Sequence, residues 1–147
     1  MSKLNLLIVE GNLQKENATF KKSGIPTHAE SLKDSLAYYT KDLNIDVFNP
    51  CAEKNFEKIL MKIQKYNGLI WGGSSLNIYN DCIEIRQQIS FMKECFKNIK
   101  NILAICWGMQ VAVTAAGGKV QKSSNGAHIG IAKNIEINQN GLNHPLY

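Results

Sequence analysis

The stretch NILAICWGMQVAVTAAGG, residues 101–118, decides how the rest of the chain reads. Ile102 to Ile105 form an apolar run of strand length with no polar break, the pattern of a strand buried on both faces. Trp107 to Ala116 reads as a helix ended by Gly117-Gly118. Cys106 stands between the two with no loop on either side. A strand that turns directly into a helix through one reactive residue is a nucleophile elbow. The turn lifts the side chain above the sheet edge. The helix start points partial positive charge at the sulfur. The Trp107 amide is free at the helix start to donate to a developing oxyanion. Gly108 removes a side chain where the turn is tight.

Working outward, the same alternation recurs. Leu69 to Trp71 is a second apolar strand and runs into Gly72-Gly73-Ser74-Ser75, a turn whose exposed amides suit an anion. Ile85, Ile89, Met92 and Phe96 mark an amphipathic helix between these two strands. Upstream, Leu4 to Val9 reads as a buried first strand and Ile45 to Phe48 as a short one ended by Asn49-Pro50. Ser31-Leu32-Lys33-Asp34 resembles a helix start, with Leu32, Leu36 and Tyr39 on one face. Phe56, Ile59, Leu60 and Ile63 suggest another helix, capped by Asn67-Gly68. The polar segment Gly11 to Glu30, broken by Gly24 and Pro26, reads as a long functional loop. Ile129, Ile131, Ile135 and Ile137 alternate in pairs and suggest antiparallel strands. Strands alternating with helices imply right-handed crossovers and a mainly parallel sheet with helices on both faces, an α/β fold. Ligands of such sheets sit beyond the carboxyl ends of the strands, where Gly72-Gly73 and Cys106 both fall.

Composition narrows the function. The 147 residues suit one domain, and the net charge of +5 is carried by scattered lysines with a single arginine, Arg86. That is a solvated surface rather than a nucleic-acid footprint. No apolar run is long enough to span a bilayer, and Leu6 to Val9 ends in an acid, so the start reads as a strand and not a signal peptide. A cytoplasmic protein with free thiols at Cys51, Cys82, Cys95 and Cys106 is expected. Their spacing suits neither a redox pair nor zinc, and nothing calls for a metal or a cofactor.

The run Ala104-Ile105-Cys106-Trp107-Gly108-Met109-Gln110 resembles the nucleophile motif G-[IV]-C-x-G-x-Q of class I glutamine amidotransferases. With Ala115-Ala116-Gly117-Gly118-Lys119-Val120 behind it, the chain looks most like the stand-alone branch related to the amidotransferase domain of GMP synthase. Gly72-Gly73-Ser74 looks like that family's oxyanion strand, usually G-G-P. Ile129-Gly130 and His144-Pro145-Leu146 resemble downstream landmarks.

The resemblance implies a flavodoxin-like three-layer sandwich and a thioester mechanism. Cys106 would be the nucleophile, the amides of Gly73 and Trp107 the oxyanion hole, and Gln110 and Gly72 would lie near bound glutamine. The substrate would be L-glutamine or a γ-glutamyl compound, with ammonia passed to a synthetase domain or subunit. The family's catalytic His and Glu form an H-x-E motif, and none of His28, His128 and His144 is followed two residues later by Glu. His28 is expected in an early loop, and all three as surface or structural histidines. Residues 1–147 are therefore expected to be one amidotransferase domain without its C-terminal segment, inactive in turnover as it stands. Ala104 in place of Gly, and Ser74 in place of Pro, leave the acceptor open. A hydrolase of γ-glutamyl compounds using the same thioester, and a binding module that keeps only the fold, are the competing functions.

Overall fold

The computed structural model describes residues 3–53, 56–126, 130–131 and 133–146. Its frame is a four-stranded sheet, β1 (Leu4–Val9), β2 (Leu43–Phe48), β3 (Gly68–Trp71) and β4 (Ile102–Ala104), in the order β2-β1-β3-β4. Every pairing is parallel. Helices α1 (Gln14–Lys22), α2 (His28–Tyr39), α3 (Glu57–Leu60), α4 (Ile83–Asn98), α5 (Trp107–Ala115) and α6 (Gln139–Leu142) complete the described elements, with a 3₁₀ turn at Ile63–Lys65.

Register explains the core. Leu7 pairs with Leu69 and Val9 with Trp71, while Leu69 and Trp71 face Ile102 and Ala104 across the next ladder. Because side chains alternate along a strand, these residues share one face of the sheet. There they meet Phe91, Met92 and Cys95 of α4 and Trp107 and Val111 of α5 in one buried cluster. Full burial of such side chains contributes roughly 1.5–3 kcal/mol each relative to exposure. On the opposite face α2 contacts β1 and β2 and covers Ile8, which is buried. Toward β4 the cover thins, and Leu103 and Ile105 are 40% and 44% exposed.

Several sequence expectations change. The segment read as a long loop contains α1, and α2 begins at His28 rather than at Ser31. Thr27 is the cap: its side chain accepts from the Glu30 amide and Glu30 returns a bond to the Thr27 amide. His28 is thus the first residue of a helix and not part of a loop. Tyr39 lies off the buried face, 83% exposed. The helix expected from Phe56 to Ile63 is broken into α3 and the 3₁₀ turn, because one turn of α-helix and one of 3₁₀ suffice to seat Ile59 and Ile63 in the core. Gly68 is not a helix cap but the first residue of β3. Gly117 does take the left-handed conformation expected at the end of α5, with φ +87°. Ile131, Ile135 and Ile137 lie outside strands and are exposed, and α6 follows them. Ile129 and His128 lie outside the described residues.

Candidate active site

The carboxyl ends of β3 and β4 are adjacent, and both turns singled out in the sequence stand there. Cys106 has φ 53° and ψ −107°, one of two described non-glycine residues with positive φ. A side chain in this conformation is held under strain by its surroundings. The holding groups are visible. The Ile105 amide donates to the Trp71 carbonyl at 2.9 Å, and the Gly108 amide lies 3.0 Å from the carbonyls of both Gly72 and Ile105. A Cβ on Gly108 would fall 2.3 Å from the Trp71 carbonyl oxygen. Glycine is required by the approach of the helix to the strand end, as expected from sequence.

Cys106 is exposed, and no described residue hydrogen-bonds its sulfur. Among the described residues the amides of Gly73 and Trp107 likewise have no hydrogen-bond acceptor. Gln110 lies one helical turn beyond Cys106, its amide donating to the Cys106 carbonyl at 3.2 Å, so the two share a helix face. The other thiols differ. Burial pushes Cys51 and Cys95 up to about 12.

Beneath the two turns lies a polar network that sequence reading missed. Gln88 of α4 is fully buried. Its Oε1 accepts from Trp107 Nε1 at 2.7 Å, and its Nε2 donates to the Gly11 carbonyl at 3.1 Å and lies 3.0 Å from Cys51 Sγ. The Ser74 hydroxyl, where the related motif has Pro, lies 3.0 Å from both the Gly11 carbonyl and Asn12 Oδ1. Asn12 Oδ1 also accepts from the Ser75 amide at 3.0 Å. Glu10, buried at the end of β1, accepts from the amides of Asn12 and Ala29, both at 3.0 Å. The end of β1 therefore ties together the glycine turn, the start of α2 and, through Gln88, the elbow helix. One signal was available: Gln88 interrupts an otherwise apolar face of α4 formed by Ile85, Met92 and Cys95.

His28 also moves into view. Its ring stands against the glycine turn, and a Cβ on Gly73 would meet His28 Cε1 at 3.3 Å. His144 lies elsewhere, with Pro145 and Leu146 beside Leu6, Ile70 and Leu103 on the thinly covered face of the sheet. Among the described residues no group of three or more His, Cys, Asp or Glu could hold a metal ion, and no helix is long and apolar enough to cross a membrane.

A parallel α/β sheet with an exposed cysteine on a strained strand-to-helix turn defines a class of cysteine-elbow proteins. Within that class the family is clear: residues 27–146 match the family model of glutamine amidotransferase class-I, and the chain belongs to that family. Over its whole length it is 28% identical to a gamma-glutamyl-L-1-hydroxyisopropylamide hydrolase of Pseudomonas sp, covering 50% of that protein. It is 29% identical over 93 residues to the glutamine-hydrolyzing GMP synthase of Blochmanniella floridana, a match covering 63% of this chain and 16% of the synthase. It is also 31% identical over 67 residues to gamma-glutamyl peptidase 4 of Arabidopsis thaliana, covering 46% of this chain and 27% of the peptidase. The chain thus spans half or less of the length of these relatives.

Proposed function

We propose that Cys106 is the nucleophile of a glutaminase-type reaction on the γ-carboxamide of glutamine or of a γ-glutamyl amide. The observation that supports this reading is the exposed, strained cysteine at the adjacent carboxyl ends of β3 and β4, where the amides of Gly73 and Trp107 have no acceptor among the described residues. The sulfur attacks the amide carbon and forms a C–S bond. The carbonyl oxygen takes the negative charge and is held by the two amides. Collapse breaks the C–N bond, the leaving nitrogen takes a proton and departs as ammonia or an amine, and a γ-glutamyl thioester remains. Water then cleaves the thioester to glutamate and restores the thiol. Gln110 and Gly72 would line the glutamyl portion.

Ammonia released in this way is available to an acceptor on a synthetase domain or subunit, as the similarity to a GMP synthase suggests. The second reading sends the acyl group to water only, a hydrolase of γ-glutamyl amides. The names of two of the three relatives favour it. Residues 1–147 supply the nucleophile but no H-x-E pair, so we further propose that they form the nucleophile-bearing portion of an amidotransferase domain, which acylates without cycling.

The experiment is to mix the chain with glutamine and with a chromogenic γ-glutamyl anilide and measure product per mole of protein. One equivalent or less, lost in Cys106→Ala, is expected. Product formation that survives Cys106→Ala would overturn the assignment. Steady cycling abolished by that substitution would instead place a working base within residues 1–147.

A further inference from the structure

The face of the Gly72-Gly73 turn turned toward α2 opens into a shallow cavity of about 210 Å³, lined among others by His28, Ser31, Leu32, Gly72, Gly73 and Ile105. Two of these residues flank the proposed reaction: Gly73 carries one of the amides assigned to the oxyanion, and Ile105 precedes the nucleophile. The cavity is a built feature. The backbone of α2 is pinned on both sides of His28, by the Glu30 carboxylate on the Thr27 amide at 2.8 Å and by the buried Glu10 carboxylate on the Ala29 amide at 3.0 Å. The imidazole is further set by an edge-on contact with Phe20, ring centroids 6.2 Å apart. Neither ring nitrogen has a hydrogen-bond partner among the described residues.

Among the described residues no lysine, arginine, aspartate or glutamate lines this cavity. The charged amino-acid end of a glutamyl substrate therefore finds no ion partner in it, and that end must lie elsewhere. With the scissile carbonyl oxygen directed at Gly73 and the sulfur behind the carbon, the remaining substituent of that carbon is the leaving nitrogen. We propose that His28 and this cavity form the subsite for the leaving amine of a γ-glutamyl amide, taking a short alkyl substituent that ends in a hydroxyl. Leu32 and Ile105 give the alkyl part apolar walls. A hydroxyl both donates and accepts, so it can hydrogen-bond an imidazole nitrogen in either role and needs no ion partner in the cavity. The inference rests on the assignment of Cys106 and extends it from the acyl side of the substrate to the amine side.

The test avoids any need for turnover. Alkylation of Cys106 by iodoacetamide is followed in the presence of L-glutamine, γ-glutamyl-ethanolamide or γ-glutamyl-propylamide, which differ from one another only beyond the amide nitrogen. In the native chain the ethanolamide is expected to protect at lower concentration than the propylamide. In His28→Ala the ratio of the two protection constants should fall by roughly two- to tenfold, the net effect of one lost hydrogen bond at an exposed imidazole. His28→Gln, which retains a donor and an acceptor, should restore most of the ratio. The ring proton resonances of His28 should also shift with the ethanolamide and not with glutamine. A ratio that is the same in native and His28→Ala proteins, with both amides protecting, overturns the subsite and leaves the Cys106 assignment standing. Failure of all three compounds to protect Cys106 overturns both.

Discussion

Trp107 Nε1 donates to Gln88 Oε1 at 2.7 Å in the fully buried core, and this bond joins the elbow helix to α4. The same amide group reaches the Gly11 carbonyl with its nitrogen, so one side chain fixes the residue after the nucleophile against the end of β1. Since the Trp107 amide is a proposed oxyanion donor, its aim depends on where the indole is anchored. Replacing Gln88 by leucine leaves the buried indole N–H without an acceptor, while the Gly11 carbonyl keeps the Ser74 hydroxyl at 3.0 Å. One such orphaned group costs about 1–3 kcal/mol. Gln88→Leu should lower the urea midpoint and slow alkylation of Cys106. Unchanged midpoint and alkylation rate in Gln88→Leu would contradict this role.

Gly73→Val tests the oxyanion assignment. A Cβ at this position meets His28 Cε1 at 3.3 Å, so one ring must shift by a few tenths of an ångström, and a branched side chain displaces the turn further. Removing one oxyanion donor costs on the order of 10²–10³ in rate. Acylation of Cys106 by a γ-glutamyl substrate should fall by that order while the circular dichroism stays native. Native acylation rates in a folded Gly73→Val protein would refute the assignment.

Gly108→Ala separates a steric requirement from a chemical one. The added Cβ would fall 2.3 Å from the Trp71 carbonyl oxygen and 2.8 Å from the Trp71 Cβ, on a strand end that cannot retreat from a packed core. Overpacking of this kind costs about 1–3 kcal/mol or more. The thermal midpoint should drop clearly, and Ala104→Gly, a change toward the related motif, should not reproduce the drop. A Gly108→Ala protein as stable as the native one would mean that the elbow has more room than its contacts indicate.

The four thiols should react in a definite order. Cys106 is exposed, Cys95 is buried, and burial pushes Cys51 and Cys95 up to about 12. A glutamine-like diazo-ketone should therefore label Cys106 first at neutral pH, as read by peptide mass spectrometry. Labelling spread evenly over Cys51, Cys82 and Cys95 would sink the idea.

Alkaline pH should destabilise the fold. In the unfolded chain Cys51 and Cys95 ionise near 9.0 and Tyr66 near 10.0, whereas burial raises all three to about 12 in the folded protein. The unfolded chain thus loses protons that the folded chain keeps, and stability present below about pH 9 falls as pH rises toward 12. The urea midpoint should be lower at about pH 10.5 than at about pH 8. The double substitution Cys51→Ser with Cys95→Ala should flatten the dependence. A midpoint that does not fall over this range would contradict the burial of these groups.

The sequence by itself determined the four strands of the sheet, their parallel arrangement and the nucleophile elbow, because each follows from local pattern, whereas the alternation of Ile131, Ile135 and Ile137 suggested strands that do not form. Buried parallel strands must be continuously apolar, and the turn at Cys106 needs Gly108 wherever the helix meets the strand end. The family follows from the same residues. Tertiary structure alone decided which polar groups hold the site. Gln88, Glu10 and Asn12 are buried at contacts between elements far apart in the chain, and no local periodicity records that a glutamine on α4 meets an indole on α5. It also decided the place of His28. A polar segment with Gly24 and Pro26 reads as a loop, yet the Thr27–Glu30 cap and the Glu10 carboxylate start a helix there and set an imidazole beside Gly73, a long-range packing outcome that hydrophobic spacing cannot encode.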